Sequence, residues 1–483
     1  MKTGLKRAGV ALLLAAGAAA GGWWWLEDDG RSMVEAAIPA EPTDQDATGP
    51  FADALAVATA RAREGRNRLS GLVELGQLYH ANGYLEEAQQ VYEALLDLEP
   101  TNPRWPHLWA IILAGYGDLH QARELWRRTI DLAPDYLPAR LRLADSAFKD
   151  NAIEEASVAY QEILERWREE PYALLGLARI DFEAGRWQEA LTRLERVVAL
   201  TEYRLGYDLI VDVYERLGRK ADADAVRAKI KASGAFREAP DPWMEDLIRL
   251  CFDPYRIALA AGAQAEPAEA RRLLLRAIEL APDEVSYRLQ LSTLSMEQGN
   301  TSEALAQLTE MTRRWPTFAD GWSRLALLQE QLGQHAAAAR TIVDGLQQCP
   351  DSPTLHLKWG TTLRRAGRLA EAVPALQRSI ELLPNESPAY VELAHVYVGL
   401  GDLSAGLSML RRSVEVEPGN PAAITFLAFQ AIAMADRAEA DQWMAQVAQQ
   451  PRVTPNAARV LRQNYARQFG EEWRNEGAGG SSP

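Results

Sequence analysis

From Leu75 to Pro100 the chain reads LGQLYHANGYLEEAQQVYEALLDLEP, and from Trp109 to Pro134 it reads WAIILAGYGDLHQARELWRRTIDLAP. The second stretch returns the skeleton of the first after a shift of 34 residues. Within the first, Leu85, Ala88, Val91, Tyr92 and Leu95 fall on one helical face and the acidic residues on the other. With Leu69 as position 1, frames begin at 69, 103, 137 and 171 without a gap, and at 204 one residue early. After an insertion they begin at 251, 285, 319, 353, 387 and 421, so eleven frames occupy most of the chain.

The spacing has a steric reason. Position 20 is Ala in every frame but one, where it is Gly406, and position 8 is Gly, Ala or Ser except at Val211. Small residues on two facing helices let the backbones approach. Larger side chains surround that contact: Leu75, Trp109, Leu325, Trp359 and Leu393 at position 7, and Tyr92, Trp126, Tyr160 and Leu376 at position 24. Position 15 is Gly in eight frames and Asn151 in a ninth, residues that tolerate the left-handed conformation ending a helix. Position 32 is Pro in seven frames, which closes the second helix. Each frame therefore predicts an antiparallel helix pair with its own stop signals. One pair cannot bury its apolar face alone, so copies must stack.

A 34-residue helix–turn–helix period resembles the tetratricopeptide repeat family, over about four-fifths of the chain. The expected fold is all-α, a solenoid of about eleven helix pairs preceded by an N-terminal transmembrane helix or signal. The resemblance implies a concave face lined by positions 2, 5, 9 and 12 of each first helix, holding extended peptides or partner helices. The partner-binding candidates it gives are Tyr172, Arg179, Phe182, Arg364, His395 and Phe429. Each is also compatible with ordinary helix surface or packing. Chaperone-tail binders of the family carry Lys at position 5 and Asn at position 9. The pairs here, such as His107/Ile111 and Leu175/Arg179, lack that clamp. Phe426, Phe429 and Ile432 form an apolar stripe that packs beneath a terminal cap or meets a partner helix.

A formal net charge of −15 argues against nucleic-acid binding. Cys251 and Cys349 provide no four-ligand zinc site, and almost three frames separate them, so two unpaired thiols are expected. There is no HExxH, Walker A loop, CxxCH or GxSxG motif. No catalytic residue, metal or cofactor is expected.

The first thirty residues stand apart. Lys2, Lys6 and Arg7 make a basic start (1–7), and Ala8–Leu26 is uncharged over 19 residues, about 28 Å as a helix. Trp23, Trp24 and Trp25 suit a membrane interface and acidic residues follow, which predicts an anchor with the body outside the cytoplasm. Ala18-Ala19-Ala20 also fits a cleaved secretory signal. Residues 27–50 read as a disordered acidic linker, 51–237 as a first repeat block and 238–250 as an insertion. Residues 251–470 read as a second block with a C-terminal cap, and 471–483 as a flexible tail. Phe51–Arg66 and Asn456–Phe469 are the expected end caps. In the insertion, Asp241 and Pro242 predict the start of a short helix, read as a bend, a hinge or a partner contact.

These features point to a membrane-tethered, exported, non-catalytic scaffold for envelope assembly, secretion or protein maturation. The alternative is a regulatory subunit of a membrane-associated enzyme system. Family members that regulate lipopolysaccharide synthesis end in a four-cysteine module, which this tail lacks.

Overall fold

In the computed structural model the described residues are 31–40, 42, 49–64, 67–201, 203–230, 239–264, 266–450 and 452–473. All eleven frames form helix pairs, from Arg68–Asn82 with Leu85–Leu98 to Pro421–Ala433 with Arg437–Gln449. Helices Gly49–Glu64 and Pro455–Phe469 pack on the first and last pairs, as the end caps expected. The stretch 1–30, with the apolar segment and Trp23, Trp24 and Trp25, lies outside the described residues, as does 474–483. Among the described residues no helix is long and apolar enough to cross a membrane.

The stop signals work as the sequence predicts. Gly83, Gly117, Gly185, Gly218, Gly299, Gly333, Gly367 and Gly401 all adopt positive φ, and Asn151 joins them at 57°. Ala435, which holds the same frame position in the last pair, is forced to φ 58° without the freedom of glycine. The small positions are also where helices touch. A Cβ on Gly360 would come within 2.4 Å of Leu376, and one on Gly76 within 2.7 Å of Val91. Between successive pairs, a Cβ on Gly176 would strike the Tyr160 ring at 2.3 Å. At the N-terminal cap, Gly71 admits the backbone of Ala62, whose nitrogen would be 2.4 Å from a Cβ.

The chain divides into two compact units, 1–281 and 282–483. The division falls one pair later than the sequence blocks, because the insertion and the sixth pair are tied to the first pair. Phe252 packs near Phe51, with ring centroids 6.2 Å apart, and the Asn82 side chain bonds the backbone on both sides of Cys251. Inside the stretch expected to be a disordered linker, residues 31–37 are helical and bury Val34 and Ala37, which corrects that expectation locally. Cys251 and Cys349 are both free thiols.

Candidate functional site

In the first unit the first helices of pairs two to four, Arg104–Gly115, Leu137–Lys149 and Pro171–Glu183, line a cavity of about 500 Å³. Its walls mix apolar Leu141, Phe148 and Leu175 with Arg142, Lys149, Arg179 and one carboxylate, Asp145. Burial pushes the Asp145 carboxyl up; a hydrogen bond from the Tyr160 hydroxyl and the charges of Arg142, Lys149 and Arg179 only partly offset it. Three cations around a single acid make the cavity electropositive in an acidic chain. The Arg179 guanidinium lies 4.6 Å from the centre of the Phe148 ring, which supports it by a cation–π contact.

Tyr172 and Arg179 meet in this cavity, as their frame positions predict. The Tyr172 hydroxyl lies 3.3 Å from that of Tyr203. Phe182 is not in the lining; it packs edge-on against Trp187 at 5.1 Å.

The insertion, whose helix is Pro242–Ile248, packs on the first helices of pairs one and two. Asp241 caps it, as expected from sequence, but its carboxylate does more. One oxygen accepts from the Tyr136 hydroxyl at 2.6 Å, and the other lies 2.8 Å from His107 Nε2. Burial alone would raise the Asp241 carboxyl. The hydrogen bond and charge of His107, with the Tyr136 bond, outweigh it and hold the group below the usual range. Behind this contact His80 is buried against Tyr92, 3.2 Å from its hydroxyl, and burial, then Arg256 and His107, lower its pKa to about 3.

In the second unit a groove of about 400 Å³ runs over the first helices of pairs eight to ten. Leu327, Leu357, Thr361 and Val391 line it, at inner frame positions, with Lys358, Glu330, Arg365 and Glu392 between them. Arg365 pairs with Glu330 at 3.3 Å, and Arg364 with Glu392 at 2.7 Å. Burial lowers the Lys358 pKa, against the pull of Glu330 and Asp320.

Arg364 and His395 are thus neighbours across Glu392. His395 faces the Phe426 ring at 6.0 Å, and burial lowers its pKa, against the pull of Glu392. Neither residue is in the groove lining, and Arg364 is committed to its ion pair. The apolar stripe divides: Ile432 is core, Phe426 packs on the core, and Phe429 alone stays exposed, at 45%. The groove residues Leu327, Thr361 and Val391 were not among the sequence candidates. Their frame positions, 9, 9 and 5, carried the signal.

Family models described as tetratricopeptide repeat match residues 69–102, 147–201, 289–353 and 387–420. The chain is 32% identical over 133 residues to TPR repeat-containing thioredoxin TTL4 of Arabidopsis thaliana, covering 26% of this chain and 19% of that protein. It is 25% identical over 293 residues to Cellulose synthase operon protein C of Pseudomonas fluorescens, covering 58% of this chain and 20% of that protein. The chain therefore spans about a fifth of the length of these relatives. Among solved structures, yeast Tom70 matches 84% of this chain and 97% of its own, at 13% identity and a TM-score of 0.39.

Proposed function

This chain belongs to the tetratricopeptide repeat family, and from that premise we propose that it is a non-catalytic scaffold, holding protein partners on the inner faces of its first helices. The observation that carries the reading is the electropositive cavity of the first unit. Arg142, Lys149 and Arg179 stand on an apolar wall in a chain whose formal net charge is −15. Such a surface suits an acidic peptide segment with apolar side chains, drawn in by charge and held by burial. The groove of the second unit, with paired charges around exposed Leu327, suits a more neutral segment.

The test is co-purification with charge reversals. Lys149→Glu with Arg179→Glu should release the proteins that co-purify with the chain. Glu165→Lys, on an exposed position of the second helix of pair three, should retain them. The same set of proteins with both variants would overturn the reading.

The proposed setting is an envelope, with the chain tethered by Ala8–Leu26 and its body exported. Its support is the sequence: a basic start, an uncharged span and three tryptophans before an acidic stretch. A reporter fused to the C-terminus should be active only outside the cytoplasm; activity only inside would reverse the topology. The second reading, a regulatory subunit of a membrane-associated polysaccharide or lipopolysaccharide synthesis system, draws on the likeness to Cellulose synthase operon protein C across 58% of this chain.

A further inference from the structure

Residues 239–252 cross the inner face of the first unit from the fourth pair back to the first. Ala239 borders the cavity that holds Arg179. Asp241 sits between His107 and Tyr136. The Trp243 ring stacks on Tyr136 with centroids 3.6 Å apart and meets His107 edge-on at 5.4 Å. Its carbonyl accepts from Arg104. Leu247, 3% exposed, lines a cavity together with His80 and Ile111. Asn82 then reads the backbone twice, donating to the Leu250 carbonyl at 3.0 Å and accepting from the Phe252 N–H at 2.6 Å.

Two features mark this as recognition rather than core. Arg104 and His107, which bond the segment, and Ile111 and His80, which line one cavity with Leu247, occupy inner positions 2, 5, 9 and 12 of their frames. The segment itself is laid on a surface: only Asp241, Leu247 and Cys251 are buried, while Pro242, Glu245 and Arg249 are exposed.

We propose that pairs one to three form a recognition surface for an Asp-Pro-Trp turn followed by leucine, that residues 239–252 are its resident ligand in cis, and that a partner segment of the same chemistry competes for it. The proposal rests on the inner-face reading above and names a partner class for it. The carboxylate is selected by His107 and the Tyr136 hydroxyl, proline by the first turn it opens, and the indole by the Tyr136 face. Tethering gives the resident segment an effective concentration on the order of millimolar. A free peptide therefore binds poorly until the resident one is weakened.

The experiment uses the full chain and a fluorescent synthetic peptide of residues 239–252 carrying Cys251→Ser, read by anisotropy. The unaltered chain should bind it weakly. Asp241→Ala with Trp243→Ala in the chain should raise affinity at least about tenfold, and adding His107→Ala in the groove should abolish the gain. Hydrogen exchange of helix Arg104–Gly115 reports whether the double variant keeps its fold. A folded double variant that gains no binding overturns the proposal. So does one that loses protection of that helix, since the segment would then be core. Neither readout involves co-purifying proteins. Failure here, with partners still released by Lys149→Glu with Arg179→Glu, strikes this proposal alone; failure of both strikes the scaffold reading beneath it.

Discussion

Gly176→Ala should destabilise the junction between pairs three and four, although alanine is the better helix former. The added Cβ would stand 2.3 Å from Tyr160 Cζ and 2.5 and 2.6 Å from two further ring carbons. Tyr160 is 0% exposed, and its hydroxyl is bonded to Asp145, so the ring has little room to retreat. Overpacking of this kind costs about 1–3 kcal/mol, while the change from Gly to Ala in a helix returns about 1 kcal/mol. The anchored ring puts the cost in the upper part of that range, about 2–3 kcal/mol, for a net loss of about 1–2 kcal/mol. A solenoid of this length does not unfold as one unit, so the assay should be local. Hydrogen exchange across helix Pro171–Glu183 should quicken by about 5–30-fold. In a Tyr160→Ala background the obstacle is gone, and the same substitution should slow exchange by its propensity gain of about 1 kcal/mol. The coupling between the two sites should therefore be about 2–3 kcal/mol. An equal effect of Gly176→Ala in both backgrounds would refute the packing argument.

The remaining predictions concern single residues. Ala435→Gly should raise the stability of the last helix pair by about 1–2 kcal/mol, since alanine now holds φ 58°; unchanged exchange protection of Pro421–Ala433 would refute it. His80 is buried and neutral, with its pKa lowered to about 3 from 6.5. The unfolded chain therefore binds the extra proton first, and stability should fall as pH drops from 6.5 toward 3, by about 2 kcal/mol at pH 5. His80→Gln should flatten that slope in the first unit, as read by melting at pH 7 and pH 5; an unchanged slope would count against the burial argument. Cys251 is 0% exposed and burial raises its thiol pKa, so a maleimide should label Cys349 alone in the native chain and both thiols after denaturation.

The repeat was legible because its signals are local and recur. A glycine at position 15 means a left-handed turn wherever it occurs, so eight turns confirm one another. Ala435 was not legible, because nothing in its own chemistry favours φ 58°; the neighbouring helices impose it. The destination of the insertion was hidden for another reason. Asp241 declares itself as a helix cap, but its pairing with His107 spans 134 residues and has no periodicity to betray it. Likewise Asn82 looks like a helix end in sequence and becomes a backbone receptor only when Leu250 and Phe252 arrive. Among the site candidates, Tyr172 and Arg179 share one cavity because their frame positions bring them together. The ion pair of Arg364 was not legible because its acidic partner Glu392 lies 28 residues away on the next pair. Helix 31–37 escaped notice because acids and prolines dominate the surrounding composition, while Val34 and Ala37 supply its buried side.

The central claim is that inner-face side chains meet protein partners. Its most direct measurement places a photo-crosslinking residue at Arg179, at Leu327 and, on an outer helix, at Glu165, and identifies adducts in intact cells. The account predicts discrete protein adducts from Arg179 or Leu327 and none of these from Glu165. Adducts from Glu165 alone, or the same adducts from all three positions, would contradict it.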